Sequence, residues 1–202
     1  MKKLFPYPKN KFYIFFVKPF FDTFISFILL ILLSPLFLLV SILIIFDSGF
    51  PIFFLQKRST LYFKTFTVVK FRTMVNRYNK PLNITIDDKR LTRIGKILRR
   101  FSIDELPQLV NVFFGEMSLV GPRPLIKDYP YSKRNFPKKY YERFGVKSGI
   151  TGLAQINGRN KINYDQKFIL DCKYFRKASF LFDIKIILFT ILYALKGDGV
   201  YD

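Results

Sequence analysis

The feature that most constrains this chain is an uncharged run of 23 residues near its start, Phe24–Phe46. About 20 apolar residues suffice to cross the hydrocarbon core of a bilayer, so the run predicts a membrane-embedded helix. Ser34 and Pro35 stand in its middle. Proline removes one backbone donor and clashes with the preceding turn, so we expect a kink there. The Ser34 hydroxyl can donate to a carbonyl that the proline leaves without a partner.

The break at Ser34-Pro35 affects whether the apolar run spans the membrane or returns to the face from which it entered. Each half, Asp22–Leu33 and Leu36–Asp47, extends only about 18 Å at 1.5 Å per residue. Lysines precede the run and most of the other cations follow it, so a spanning helix would export one basic flank against the positive-inside tendency. The pattern favours a re-entrant hairpin that keeps both flanks in the cytoplasm, with a kinked spanning helix as the alternative.

Composition excludes several classes of protein. Of 202 residues, 34 are Lys or Arg and 14 are Asp or Glu, a net charge of +20, while half are hydrophobic. The apolar content excludes disorder, and a single cysteine, Cys172, excludes a disulfide scaffold. The absence of histidine from the sequence excludes Ser-His-Asp catalysis and the usual zinc sites. Composition alone favours a non-enzymatic basic membrane protein that binds anionic lipid or RNA.

After the apolar run, the pattern becomes that of a small mixed domain. We predict an α+β fold, with a basic segment and a re-entrant membrane helix-break-helix over residues 1–48 and a small cytoplasmic α/β domain over residues 49–202. Two strands and four helices are predicted at Pro51–Arg58, Lys64–Arg72, Leu91–Phe101, Leu106–Phe114, Tyr164–Arg176 and Leu181–Leu195. The first of these helices is amphipathic and basic, and the last suits the core or the membrane interface. The polar stretch Asn76–Asp88 is expected to be a loop.

Two adjacent carboxylates, Asp104 and Glu105, are the most informative candidates for chemistry. One interpretation is helix capping, because Ser102-x-x-Glu105 matches a capping box and Asp104 as N-cap would place Pro107 in the first turn. The functional interpretation uses the same position: an ionised Asp104 can attack phosphorus, and Glu105 can hold Mg²⁺ on phosphates. The pattern alone favours capping, and the two interpretations are compatible.

Two arginines occupy segments suited to phosphate binding. Arg123 lies between Pro122 and Pro124, and Arg159 follows an Asn-Gly turn. A guanidinium grips phosphate through two parallel hydrogen bonds, so a fixed backbone at these positions would help. The alternative for each arginine is a surface charge or a contact with lipid headgroups.

Other polar residues receive simpler interpretations. Lys70 and Arg72 alternate with apolar residues on a predicted strand and are expected on a solvated face. Cys172 is expected to be buried packing. Asp171 and Tyr174 form an i, i+3 pair on a predicted helix, to which no role is assigned.

Together these motifs resemble those of a known family, the bacterial sugar transferases or monotopic phosphoglycosyl transferases, in their minimal short form. The matching segments run in family order between Lys18 and Lys196. They are Phe21-Asp22, Ser34-Pro35, Lys70–Met74, Leu91–Gly95, Arg99–Pro124, Gly149–Gln155 and Asn157–Asn160. The loop after the hairpin departs from the family pattern, because Gly49-Phe50-Pro51 replaces Gly-Pro and Gln56–Thr60 lacks the usual glycine.

The resemblance implies a specific reaction. Family members transfer a sugar 1-phosphate from a UDP-sugar to a polyprenyl phosphate such as undecaprenyl phosphate, at the cytoplasmic face of the bacterial inner membrane. This step begins the assembly of a lipid-linked glycan. By resemblance, Asp104 would be the nucleophile that holds the phosphosugar covalently and releases UMP. Glu105, with Asp104, would hold Mg²⁺.

The resemblance also implies supporting roles and partners. The residues implied to position phosphates are Arg99, Arg123 and Arg159. The residues implied to lie in the substrate loops are Pro122, Pro124, Gln155 and Asn157. Ser34 and Pro35 would make the hairpin re-entrant and the protein monotopic. The implied partners are a UDP-sugar, polyprenyl phosphate and membrane lipid, without nucleic acid, and the sequence leaves the oligomeric state open.

Overall fold

The computed structural model describes residues 5–75, 90–158 and 162–196, which form a mixed fold of helices and sheet. Its α-helices are α1 (Lys18–Leu32), α2 (Ser34–Ser48), α3 (Arg93–Arg100), α4 (Leu109–Phe113), α5 (Leu153–Ile156), α6 (Tyr164–Lys177) and α7 (Phe180–Lys196). A π-helix covers Tyr13–Val17, and 3-10 helices cover Leu61–Phe63, Ile103–Gln108 and Lys138–Phe144. The strands are β1 (Phe53–Ser59), β2 (Thr65–Phe71), β3 (Ser118–Val120), β4 (Leu125–Ile126) and β5 (Gly149–Thr151).

The long apolar run forms two helices, α1 and α2, separated by a single residue. Leu33 has φ −89° and ψ 0°, which interrupts the helical backbone. The Ser34 hydroxyl donates to the carbonyl of Ile31 at 2.8 Å. In a regular helix the amide of residue 35 would bond this carbonyl, and Pro35 has no amide hydrogen. The predicted helix-break-helix is therefore confirmed, including the hydroxyl that compensates for the proline.

Both of these helices are fastened to the same folded body. In α1, the Asp22 carboxylate accepts hydrogen bonds from the Ser118 hydroxyl at 2.7 Å and the Leu119 amide at 3.1 Å, in β3. Near the end of α2, the Asp47 carboxylate accepts one from the Ile94 amide at 3.0 Å, in the first turn of α3. The chain thus contacts the body before the break and returns to it after the break.

The sheet that follows begins with the predicted strands. β1 and β2 form an antiparallel hairpin with Phe53 opposite Phe71 and Ser59 opposite Thr65, and β4 extends it on the other side of β1. The two predicted strands are confirmed to within three residues at their ends. β3 and β5 form a separate parallel pair. β3, β4 and β5 were not anticipated, because strands of two or three residues carry no detectable periodicity.

The predicted helices are also present. α3, α6 and α7 match their predicted positions closely, and the helix expected at Leu106–Phe114 is the 3-10 helix Ile103–Gln108 followed by α4. Gly115 ends this segment with φ 73°, a conformation that suits glycine. Most of the expected loop Asn76–Asp88 coincides with residues 76–89, which lie outside the described residues.

The last helix, α7, has one buried and one exposed face. Ile186 is fully buried in a core cluster that includes Tyr174 and Phe175 of α6. Large apolar residues of α7 that are mostly exposed are Leu181, Leu188, Ile191, Leu192 and Leu195. Helix α1 exposes Phe20, Phe24, Ile31 and Leu32 in the same way. Within the described ranges, Tyr13–Leu32 is the one helix that is long and apolar enough to cross a bilayer.

Candidate active site

The carboxylates Asp104 and Glu105 stand in the first turn of the 3-10 helix Ile103–Gln108, directly after a sharp change of chain direction at Ser102. Ser102 has φ 58°, in the left-handed region that costs an L-residue about 1–2 kcal/mol. Its side chain makes no capping hydrogen bond, and Asp104 lies inside the helix rather than at its N-cap. Both capping interpretations are therefore wrong, because the Glu105 carboxylate binds basic side chains instead of the helix backbone.

Glu105 is the centre of a compact ion-pair network. Its Oε1 accepts from Lys70 Nζ at 2.6 Å and from Arg123 Nη2 at 2.7 Å. Arg123 Nη1 also donates to Oε2 at 3.2 Å, so the arginine contacts the carboxylate through two nitrogens. Burial alone would raise the pKa of Glu105, but Arg123 and Lys70 together outweigh it and hold this pKa well below its usual range. Glu105 is therefore a permanent anion at neutral pH.

Asp104 has the opposite titration behaviour. Its side chain is buried, and within the described part of the chain it has no ion pair as short as those of Glu105. Burial, followed by the charge of Glu105, raises the pKa of Asp104 to about 6, although nearby cations oppose the shift. A carboxylate with a raised pKa is more basic than an ordinary aspartate and is still ionised at pH 7. Two adjacent acids thus acquire different chemistry from their surroundings.

Arg99 contributes one of the cations that act on Asp104. It lies in the last turn of α3, and its Nε donates to the Thr73 hydroxyl at 3.0 Å. Its charge lowers the pKa of Asp104, which places the guanidinium on the same side of the site. Arg99 thus acts electrostatically on Asp104, and its role in positioning phosphates stays a prediction.

The expected solvated face is wrong for both Lys70, in β2, and Arg72, directly after β2. Lys70 binds Glu105, and its side chain is only 16% exposed. Arg72 donates through Nη1 to the carbonyl of Phe50 and through Nη2 to the carbonyl of Ser48, each at 2.7 Å. Lys70 and Arg72 do alternate with apolar residues, but the groups that they bind lie 22 or more residues away along the chain. Apart from the expected solvated face, the sequence analysis placed Lys70 only within the family motif Lys70–Met74, and the structure adds it to the candidate site.

The loop that carries Arg123 is held in place by two other arginines. Arg143 Nη2 donates to the carbonyl of Arg123 at 2.8 Å, and Arg58 Nη1 donates to the carbonyl of Pro124 at 3.1 Å. Pro122 and Pro124 are buried, whereas the Arg123 side chain is 48% exposed and reaches Glu105. The prediction of a rigid backbone that presents one arginine is confirmed.

A cavity of about 380 Å³ opens beside this network. Glu105 and Arg123 line one part of it, and three further cations, Arg58, Arg143 and Lys167, line the rest together with apolar side chains. These three cations were not named as site residues from the sequence, because they lie on three separate elements, β1, the 3-10 helix Lys138–Phe144 and α6. Their convergence makes the cavity suitable for an anionic ligand with an apolar or aromatic portion.

The remaining candidate residues fall into three groups. Pro124 and Gln155 line the cavity. Asn157 is exposed and donates through Nδ2 to the carbonyl of Leu153 at 2.7 Å, so the structure does not bring it to the cavity. Arg159 lies outside the described residues. Cys172 is buried, as expected.

The carboxylate pair is the acidic donor set that could take part in metal binding. Within the described ranges no three His, Cys, Asp or Glu side chains cluster as a metal site. Mg²⁺ in phosphate-transfer sites is usually held by one or two carboxylates together with substrate phosphates rather than by an all-protein cage. Asp104 and Glu105 are carboxylates of the type that such a site uses, and Mg²⁺ binding by them stays a prediction.

Comparison with known proteins agrees with the geometry of the site. The bacterial sugar transferase family matches residues 13–197. The uncharacterized sugar transferase EpsL of Bacillus subtilis is 43% identical over 185 residues, covering 91% of this chain and 90% of the relative. The UDP-glucose:undecaprenyl-phosphate glucose-1-phosphate transferase of Klebsiella pneumoniae is 38% identical over 89% of this chain and 40% of the relative. The undecaprenyl-phosphate glucose phosphotransferase of Komagataeibacter xylinus is 41% identical over 85% of this chain and 34% of the relative.

The chain thus matches nearly all of one relative and less than half of each of the other two. The match includes the carboxylates, the Arg123 loop and the helices that hold them, because all lie within residues 13–197. From the site and these similarities together, the chain belongs to the bacterial sugar transferase family and is a transferase.

Proposed function

We propose that the protein transfers a sugar 1-phosphate from a UDP-sugar to undecaprenyl phosphate or a similar polyprenyl phosphate, and so initiates lipid-linked glycan assembly. Two of the relatives carry undecaprenyl phosphate in their names. The observation that carries the proposal is the buried carboxylate of Asp104 beside Glu105, whose oxygens accept from Lys70 and Arg123. The adjoining cavity is lined by cations.

In the proposed reaction, an Asp104 carboxylate oxygen attacks the sugar-bearing phosphorus of the donor. The bond from that phosphorus to the bridging oxygen breaks, and UMP leaves with the bonding electron pair. The sugar phosphate is then joined to Asp104 as an acyl phosphate. A phosphate oxygen of the polyprenyl phosphate attacks the same phosphorus, which restores the Asp104 carboxylate and forms the polyprenyl diphosphate sugar.

The surrounding cations suit this reaction because phosphoryl transfer spreads negative charge over the phosphate oxygens. Arg123 is already oriented by Glu105, and Arg58 is held by the carbonyl of Pro124 and by Gln56 Oε1. Both line the cavity and are placed to bind the diphosphate of the donor. Asp104 and Glu105 would hold a Mg²⁺ ion, which would neutralise phosphate charge.

We also propose that α1 and α2 form a re-entrant hairpin in the bacterial inner membrane, with the rest of the protein in the cytoplasm. The support is that Asp22 and Asp47, on either side of the break, both bind the same folded body. A body on one face of the membrane can hold both ends only if the intervening segment returns to that face. Exposed apolar residues on α1 and α7 provide the surface that would enter the lipid.

The alternative, a non-enzymatic protein that binds anionic lipid or RNA through its charge, receives less support. Lys70 and Arg123 bind Glu105 rather than standing free on the surface. Family membership also favours the transferase.

The test is UMP release by protein in nanodiscs, supplied with Mg²⁺ and a panel of UDP-sugars. Without undecaprenyl phosphate, we expect a burst of about one UMP per enzyme and a mass increase of one phosphosugar on the peptide that contains Asp104. With undecaprenyl phosphate, turnover should continue. If UMP is released when undecaprenyl phosphate is present but no burst occurs in its absence, the covalent step is overturned. A folded sample that releases no UMP with any donor would overturn the proposed reaction.

Topology needs a separate test. Cys172 is buried, so single cysteines introduced at the exposed positions Lys9 and Lys64 can be labelled selectively. In spheroplasts, a membrane-impermeant maleimide should leave both positions unlabelled until the cells are lysed. Labelling of one position from outside would instead show a spanning helix.

A further inference from the structure

Asp171 of α6 is a buried carboxylate with one oxygen engaged and one not. The residue is 2% exposed, and Oδ2 accepts from Arg143 Nε at 3.1 Å. Oδ1 is buried without any hydrogen-bond partner in the described part of the chain. Leaving a buried polar atom without a partner costs about 1–3 kcal/mol, and more when it is charged. Because Asp171 lines the cavity, a ligand there can supply the missing donor.

Gln155, which lines the same cavity, has a second set of unused polar atoms. Both its amide oxygen and its amide nitrogen are buried and lack a partner within the described residues. Gln155 lies on α5 and Asp171 on α6, so two separate elements contribute residues with unsatisfied polar atoms to the lining of one cavity. Together they offer two kinds of acceptor and an amide donor.

These atoms are unsuited to a phosphate, because the Asp171 carboxylate would repel it. They suit a neutral group whose hydroxyls or amide hydrogens can donate, and whose oxygens can accept from Gln155. A sugar carries several hydroxyls that do both, whereas uracil offers one N–H between two carbonyls. The cations Arg58 and Arg123 remain available for the diphosphate.

We propose that Asp171 and Gln155 form the subsite that binds the glycosyl group of the donor and accepts hydrogen bonds from its hydroxyl or amide hydrogens. This proposal rests on the proposed function, since it needs a sugar nucleotide as substrate. Arg143 links the subsite to the carboxylates: it binds Asp171 through Nε and the carbonyl of Arg123 through Nη2. Because Arg123 in turn binds Glu105, one continuous set of contacts connects Asp171 to the carboxylate pair.

The direct test is Asp171→Asn. The amide oxygen can still accept from Arg143, while its NH₂ group replaces the oxygen that has no partner. We expect the KM for the UDP-sugar to rise about tenfold or more, with a smaller change in kcat. The Kd of UMP, which lacks the sugar, should stay within about twofold. Gln155→Met, which removes the amide at nearly constant volume, should act in the same direction and guards against a folding defect in the first variant.

Glu142→Gln is the matched control. Glu142 binds Arg176 at 2.7 Å, so this pair joins the same two segments, Lys138–Phe144 and α6, but neither residue lines the cavity. The control should leave the KM for the UDP-sugar and the Kd of UMP unchanged. An equal loss in Glu142→Gln and Asp171→Asn would show a general effect of loosening α6 and overturn the subsite.

Calorimetry on Asp104→Asn protein, which cannot form the covalent intermediate, with UDP-glucose, UDP-galactose, UDP-N-acetylglucosamine and UMP separates this proposal from the proposed function. If this protein binds a UDP-sugar more tightly than UMP, and adding either Asp171→Asn or Gln155→Met removes that advantage, the subsite is supported even without turnover. An unchanged UDP-sugar affinity in both variants overturns it, even if turnover is normal. Equal weakening of UMP and UDP-sugar would assign these residues to uracil instead, which also overturns it.

Discussion

Two buried acidic sites in this protein differ in how completely their oxygens are satisfied. The Asp183 cluster consists of Asp183, Tyr13, Lys18 and Tyr174. Asp183 accepts from the hydroxyl of Tyr13 at 2.6 Å, from that of Tyr174 at 2.8 Å, and from Lys18. Asp104 has no comparable set of donors in the described ranges, and its pKa is raised to about 6.

The difference separates a structural carboxylate from a reactive one. The Asp183 cluster joins the N-terminal helix to α6 and α7, and every partner is buried. Its oxygens are committed to those contacts. Within the described residues, Asp104 has no such set of donors, and it stands beside the anion Glu105, which lines the cavity. A buried carboxylate that lacks donors carries a stability cost, and such a cost is expected where a group must react.

The largest expected effect is the loss of activity in Asp104→Asn. The amide is not a nucleophile, so UMP release should fall at least about 10³-fold. Thermal unfolding at pH 8 should occur at a temperature no lower than that of the wild type, because the folded state disfavours the ionised Asp104. Asp165→Asn, an exposed acid on α6, is the control and should keep full activity. Activity near the wild-type level in Asp104→Asn would show that Asp104 is not the nucleophile.

The second prediction is the opposite outcome at Asp183, where a substitution should lower stability and leave activity unchanged. Asp183→Ala removes the nearer partner of buried Lys18, leaving Asp22 at 3.9 Å, and the acceptor of two buried tyrosine hydroxyls, and should destabilise the protein by about 3–5 kcal/mol. For a chain of this size, that corresponds to a fall in Tm of roughly 10 °C. Molecules that remain folded should retain UMP release per mole. If Asp183→Ala abolished activity while Tm stayed constant, the distinction between the two sites would fail.

The third prediction concerns pH. The pKa of Asp104 lies above its unfolded value, so the protonated form is favoured in the folded state up to about pH 6. Protonated Asp104 cannot attack, and kcat/KM should therefore fall about tenfold per pH unit below 6 and level off above 7. Lys70→Met removes a cation that lowers this pKa, so the midpoint should move upward. A flat profile from pH 5 to 8 would contradict the assignment.

The same shift has a consequence for stability. Since Asp104 ionises more readily in the unfolded chain, its contribution to folding is most favourable below about pH 4 and is lost as the pH rises through about 6. In Asp104→Asn this contribution to the pH dependence should disappear. Comparing unfolding free energies of the two proteins at pH 5 and pH 8 measures it.

The smallest expected effect is that of Tyr174→Phe. It removes one of the donors to Asp183 and leaves Tyr13 and Lys18 in place. The expected loss is about 1 kcal/mol, or roughly 3 °C in Tm, without a change in UMP release. A loss as large as that of Asp183→Ala would mean that the three donors act as a single unit, and double-mutant analysis with Tyr13→Phe would measure the coupling.

Predictions based on local pattern were the most successful. The break at Ser34-Pro35, the hairpin β1–β2 and helices α6 and α7 follow from periodicity and from the chemistry of proline, which act within a few residues. Capping at Ser102 was also a local prediction, and it failed. Glu105 meets two cations that no local pattern reveals, and these contacts displaced the expected cap.

The sequence by itself determined the apolar helix pair, the adjacent carboxylates and the ordered motifs that place the chain in its family. Only the tertiary structure decided which charges meet. Lys70 and Arg123 lie 35 and 18 residues from Glu105 along the chain, yet both bind it. The uncommitted oxygen of Asp171 was equally invisible in the sequence. Coulombic and hydrogen-bond energies depend on distance in space and on burial, whereas residue order carries direct information only about near neighbours.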